Sequence, residues 1–302
     1  MLPEIFDPSR RAALGRANDE QVRLHGPLSK GYAEGVPASR VKIFGERNTG
    51  TNALARIIEA NSAARCLPAT SGELNPLLGR IGNSEWLPGK RMRERLLDSV
   101  FEGKGPLCAW KHCATNFPDA APFDGVLVLF TVRHPASWLA SLFKRPYQLL
   151  ERQPATLAEF LDSKWETVGR ERLGRASFRP LELLQAKLDS YSSFADKLSE
   201  RGIAHRFVRF EDIVLNQAEL YSTIRPELEN ARADFHELET STKDRSKTLD
   251  DYRDYYGNER WRDALAGLEV SIDTQVDWGK FERFGYRPLS AEISASPRYR
   301  PD

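Results

Sequence analysis

Cysteine is scarce in this chain: Cys66, Cys108 and Cys113 are three in all, an odd number without paired metal-ligand spacing. That excludes a disulfide framework or a cysteine-built zinc site as the basis of the fold, and no bound metal is expected. Long hydrophobic runs are also missing. The longest, Gly125-Val-Leu-Val-Leu-Phe-Thr-Val132, falls far short of the ~20 apolar residues that a membrane helix needs. The opening Met-Leu-Pro-Glu-Ile-Phe-Asp has no signal-peptide pattern. Neither sign of charge dominates, with 44 basic residues against 43 acidic ones and a formal net charge of +1. Overall electrostatics therefore gives no case for nucleic acid or an anionic membrane as partner. The expectation is a cytoplasmic protein without membrane insertion, whose partners must be inferred from local sites.

What is present is enough apolar material, 40% of 302 residues, to bury one substantial core. Residues 1–38 are polar and broken by Pro3, Pro8, Pro27 and Gly31, which marks a lead-in segment; 39–288 form the domain and 289–302 a tail. Short apolar runs at 41–45, 107–111, 126–132 and 205–210 read as buried strands. Helical patterns cover 51–60, 90–100, 136–144, 157–162 and 181–201. This order predicts an α/β fold, a three-layer sandwich with a mainly parallel central sheet and a ligand crevice at the C-terminal strand ends.

The first chemical motif is Val41-Lys-Ile-Phe-Gly-Glu-Arg-Asn-Thr-Gly-Thr-Asn52, a strand running through a glycine-containing loop into a helix. Gly45 and Gly50 bracket four residues, as in a P-loop-like phosphate-binding turn that aims backbone N–H groups and a helix start at an anion. Thr51 stands where a nucleotide triphosphatase has its phosphate-gripping Lys, and Asn52 where it has its Mg²⁺-holding Ser or Thr. The second motif is Arg133-His-Pro-Ala-Ser-Trp-Leu-Ala-Ser141, at the end of a buried strand with Pro135 placed to open a helix. Two helical turns bring Ser141 back to the side of Arg133, so both can meet one phosphate.

Together these residues resemble the sulfotransferase superfamily that uses 3′-phosphoadenosine-5′-phosphosulfate as donor. Arg47-Asn-Thr-Gly-Thr-Asn52 is similar to its 5′-phosphosulfate loop, and Arg133-His-Pro with Ser141 to its 3′-phosphate motif. Trp110-Lys111-His112, Val208-Arg-Phe-Glu-Asp-Ile213 and Phe281-Glu-Arg-Phe-Gly-Tyr286 follow in the family's order, so the resemblance spans roughly 40–287. It implies donor binding by Arg47, Asn48, Thr49, Gly50, Thr51, Asn52, Arg133, Ser141 and Arg245. It also implies catalysis by His112 as general base, with Lys111 or Arg47 stabilising the leaving phosphate. In the family register Asn48 stands where the usual loop Lys would be, which is why Arg47 and Lys111 are the candidate replacements. The implied co-substrate is 3′-phosphoadenosine-5′-phosphosulfate, and the partner a small-molecule or carbohydrate acceptor.

Other readings of the same residues stay open. Arg133 can pair with a carboxylate, Ser141 can pack a helix, and His112 can be satisfied by backbone at a strand end. At the level of function the alternatives are a P-loop phosphotransferase and a noncatalytic nucleotide-binding protein.

Overall fold

In the computed structural model the described residues are 37–82, 89–174, 176–240 and 246–291. Nearly all of the lead-in and tail segments lies outside them, as does Arg245. Four strands form a parallel sheet: β1 (Arg40–Gly45), β2 (Arg65–Cys66), β3 (Val126–Val132) and β4 (His205–Arg209), in the order β2-β1-β3-β4. β1 lies against β3 from Arg40 opposite Val126 to Gly45 opposite Thr131; β3 lies against β4 from Val128 opposite His205 to Val132 opposite Arg209. β3 is buried at every position. A central parallel strand covered on both faces reads as a continuous apolar run, and that is why it stands out in the sequence.

Side chains alternate across the sheet as the two-residue strand period requires. Val41 and Ile43 of β1 and Leu127 and Leu129 of β3 pack with Leu54, Ile57 and Ile58 of helix α1 (Thr51–Asn61). Helices α2 (Lys90–Ser99) and α3 (Pro135–Lys144) precede the long α4 (Pro180–Glu200). The opposite sheet face, with Phe44, Val128 and Phe130, packs against Tyr191, Phe194 and Leu198 of α4. Phe130 stacks on Tyr191 with ring centroids 5.5 Å apart. Helices thus cover both faces of the sheet. At the C-terminal strand ends, Trp138, Leu139 and Leu142 of α3 join Trp261, Phe281 and Tyr286 in a further apolar cluster.

One expected strand is absent. Residues 107–111 do not pair as a strand; Pro106–Cys108 is a 3₁₀ turn, opened by Pro106, which fixes the backbone in a helical conformation. The segment still runs beside β1, because the Gly45 N–H donates to the Lys111 carbonyl (2.9 Å) and the Lys111 N–H donates to the Ala69 carbonyl (3.1 Å). The fourth strand is instead Arg65–Cys66, whose two residues are too short for any periodicity to show. Among the described residues no helix is long and apolar enough to cross a membrane, and no cluster of His, Cys, Asp or Glu suits a metal ion.

Candidate functional site

The loop from β1 to α1 sits at the C-terminal end of the sheet, between Gly45 and Gly50. A Cβ on Gly45 would lie 1.8 Å from Thr131 Oγ1 of the neighbouring strand. Gly50 has φ 89°, a left-handed conformation that costs other residues free energy, and Asn48 has φ 63°. Thr49 Oγ1 shares a hydrogen bond with Thr131 Oγ1 (2.6 Å) and donates another to the Glu46 carbonyl (2.6 Å). Gly50 caps α1 without a side-chain acceptor, so the first-turn N–H groups of that helix have no capping side chain.

Beneath the loop lies a buried quartet of charges, Glu46, Arg47, Glu171 and Lys187. The Arg47 guanidinium donates to Glu46 (2.6 Å), to Glu171 and to Gln148 (2.7 Å). Lys187 Nζ donates to the second Glu46 oxygen (2.8 Å) and to the His112 carbonyl. Burial alone would raise the Glu46 carboxyl, but Lys187 and then Arg47 overcome it and hold the group well below the ordinary carboxylate range. The Trp138 indole N–H donates to the Arg47 carbonyl (2.7 Å), pinning the loop backbone to α3. Arg47 was expected to face a bound phosphate, and its partners here are side chains of the core. Its side chain, 1% exposed, points into the core, between the rings of Trp110 and Trp165, and is committed to two carboxylates.

Arg133, at the end of β3, differs in its partners. It is 2% exposed, yet its four hydrogen bonds all go to neutral acceptors: two to Ser137 Oγ (3.0 and 2.8 Å), one to the Asn48 carbonyl (2.7 Å) and one to the Tyr256 hydroxyl (3.1 Å). Its guanidinium also lies 4.0 Å from the centroid of the Phe210 ring. Among the described residues no carboxylate forms an ion pair with it, so a buried positive charge is left without a counter-charge. Arg133 lines a cavity of about 220 Å³ together with Asn48, Gly50 and Ser141. Four of the residues singled out in the two motifs thus meet at one site.

The same cavity carries residues that the motifs did not reveal. Ser137, one helical turn after Arg133, rather than Ser141, makes the contacts to the guanidinium; the i, i+4 spacing was visible in the sequence but the more distant serine drew the attention. Helices α5 (Phe210–Leu215) and α6 (Leu249–Gly257) supply aromatic walls through Phe210, Tyr252, Tyr255 and Tyr256. Lys144, Arg145 and Lys247 add cations at its margin. No protein-family model matches this chain, and no curated protein matches it.

Thr51, Asn52 and Lys111 line a second cavity, of about 250 Å³, on the other flank of α1. Lys111 Nζ donates to Asn52 Oδ1, which ties the segment after the 3₁₀ turn to the first turn of α1. Burial holds the Lys111 amine below its ordinary pKa, partly opposed by Glu73. His112 is half-buried and lines neither cavity. Its Nδ1–H donates to the Gly45 carbonyl (2.6 Å), which leaves the lone pair on Nε2. Burial, and then the charge of Lys111, push its pKa well below that of a free imidazole, so the ring is neutral at neutral pH. Arg47 and Thr49 also line neither cavity: Thr49 is bonded into the loop. His134 caps α3, its Nδ1 accepting from the Ala136 N–H (3.3 Å) and its Nε2–H donating to the Arg287 carbonyl (3.3 Å).

Proposed function

We propose that this protein is a sulfotransferase, moving a sulfuryl group from 3′-phosphoadenosine-5′-phosphosulfate to a hydroxyl or amine of a small-molecule or carbohydrate acceptor. The observation that carries the reading is Arg133. A buried guanidinium costs several kcal/mol in desolvation unless an opposite charge meets it. Arg133 has none among the described residues and faces a cavity, so an anionic ligand is what completes it. A phosphate there would meet the charge of the guanidinium and the Ser141 hydroxyl.

The rest of the site fits such a nucleotide. The aromatic residues Phe210, Tyr252 and Tyr255 in its lining suit a purine, and Lys144, Arg145 and Lys247 favour an anion. Backbone N–H groups between Thr49 and Asn52, in the manner of a phosphate-binding turn, would hold the second phosphate of the donor at the start of α1. Of the two cations that the sequence offered for the leaving phosphate, Arg47 is bound to Glu46 and Glu171, which leaves Lys111. In the transfer, the acceptor oxygen or nitrogen bonds to sulfur as the bond between sulfur and the 5′-phosphate oxygen breaks. The acceptor proton passes to solvent, since His112, the base expected from the sequence, lines neither cavity, and adenosine 3′,5′-bisphosphate departs.

Titration calorimetry with adenosine 3′,5′-bisphosphate, ADP and ATP, each with and without Mg²⁺, tests this. Metal-independent preference for the bisphosphate is the expected outcome. Preference for ATP that depends on Mg²⁺ would replace sulfuryl transfer with phosphoryl transfer.

A further inference from the structure

The first turn of α1 divides two cavities. Gly50 and Ala53 face the one that holds Arg133, whereas Thr51, Asn52 and Ala55 face the other. Arg56 and Glu59 continue the second face along the helix, in an i, i+4, i+7 stripe that begins at Asn52. Opposite the stripe stand Thr70, Glu73 and Lys111. A group held at the N-terminus of α1 therefore has the Arg133 cavity on one flank and this polar cavity on the other.

We infer that the second cavity is the acceptor site and that it takes the terminal unit of a polyhydroxylated, non-aromatic molecule, of the sugar or polyol class. This rests on the sulfotransferase reading above. Three features of the wall select that class. None of its residues is aromatic, so it offers no stacking face to a phenol. Its charges balance, Arg56 and Lys111 against Glu59 and Glu73, so no net field selects an ionic acceptor. Its polar side chains include donors (Arg56, Lys111), acceptors (Glu59, Glu73) and groups that are both (Thr51, Asn52, Thr70), which is what a ring bearing several hydroxyl groups, each both donor and acceptor, can satisfy at once. Sites for apolar planar ligands instead have mainly hydrophobic and aromatic walls. A volume of about 250 Å³ leaves room for one small ring or chain end.

The Glu73 carboxylate is held in place for this. One oxygen accepts from the Ala69 N–H (3.0 Å), the Thr70 N–H (2.8 Å) and the Thr70 hydroxyl (2.7 Å), which fixes the group; burial would raise its pKa, and these bonds overcome it and pull it down. Glu59, on the exposed flank of α1, is the carboxylate whose change least disturbs the fold.

The test measures transfer of labelled sulfate from 3′-phosphoadenosine-5′-phosphosulfate to glucose, galactose, glucosamine and myo-inositol, against 2-naphthol and tyramine. Bisphosphate affinity is measured by calorimetry on the same preparations. Sulfation of sugars or inositol is expected, and Glu59→Gln should raise the KM for them about 10-fold, the loss of one charge-assisted hydrogen bond, with bisphosphate binding unchanged. Sulfation of the aromatic acceptors alone, or of no sugar or polyol, with bisphosphate binding intact, would overturn the acceptor assignment and leave the donor reading standing. A Glu59→Gln KM equal to that of the parent protein would also overturn it. Failure to bind the bisphosphate at all would remove both.

Discussion

Two arginines with nearly the same burial have opposite roles. Arg47 is paired with Glu46 and Glu171, so deleting it leaves Lys187 alone against two buried carboxylates; Arg133 is hydrogen-bonded only to neutral groups, so deleting it removes a buried charge that lacks a partner. Breaking a buried pair from one side costs about 3–5 kcal/mol, whereas exchanging an uncompensated buried charge for an apolar group is often close to neutral. Arg47→Met should therefore lower the unfolding free energy by about 3–5 kcal/mol, read from urea denaturation. Arg133→Met should cost far less stability but weaken adenosine 3′,5′-bisphosphate by about 10- to 100-fold, the worth of a charge-assisted hydrogen bond. Adenosine 5′-phosphate, which lacks the 3′-phosphate, should lose much less. Equal stability losses in the two variants, or equal affinity losses for the two nucleotides, would contradict the division of roles.

The element that joins these residues is the turn between β1 and α1, and its geometry depends on Gly50. A Cβ there would meet the Ile213 Cδ1 at 3.0 Å while the backbone holds φ at 89°. Gly50→Ala should cost about 1–3 kcal/mol of stability and shift the start of α1 away from α5. Bisphosphate affinity, measured by calorimetry below the melting range, should fall with it; unchanged affinity would mean that the turn does not hold the phosphate. This turn was legible from the sequence because a strand, two spaced glycines and an amphipathic helix all point the same way. β1, β3 and β4 were legible for a related reason: each is a short apolar run bounded by turn residues. Residues 107–111 have the same composition but not the same structure, because Pro106 starts a 3₁₀ turn and burial comes from packing against the Phe117 cluster rather than from strand pairing. The pairing of Arg47 with Glu171 was not legible, because the fold brings that carboxylate from 124 residues away. The contacts of Tyr256 and Phe210 with Arg133 were not legible for the same reason, since they arise from tertiary approach alone.

At the scale of the whole molecule, burial of neutral imidazoles couples stability to pH. His134 is enclosed by Trp261, Trp278 and Tyr286, and burial, followed by the charge of Arg262, lowers its pKa to about 3. In the unfolded chain the same group titrates near ~6.5. Below that pH the unfolded state takes up a proton that the folded state refuses, so stability is full above about 6.5 and is lost as pH falls toward about 3. The slope is up to about 1.4 kcal/mol per pH unit for each such imidazole. His112 is shifted in the same direction and adds to it. Glu46, whose carboxyl lies well below the ordinary range, adds a second loss only once its unfolded counterpart protonates, near ~4.3. The window between about pH 6.5 and 5 therefore isolates the imidazoles. His134→Asn retains a short side-chain acceptor for the Ala136 N–H but cannot take up a proton. Urea unfolding in steps from pH 7 to 5 should show the parent protein losing stability and the variant losing it on a shallower slope, whatever the offset between them at pH 7. Parallel lines would mean that His134 takes up its proton in the folded state as readily as in the unfolded chain, and that the aromatic enclosure at the start of α3 admits charge.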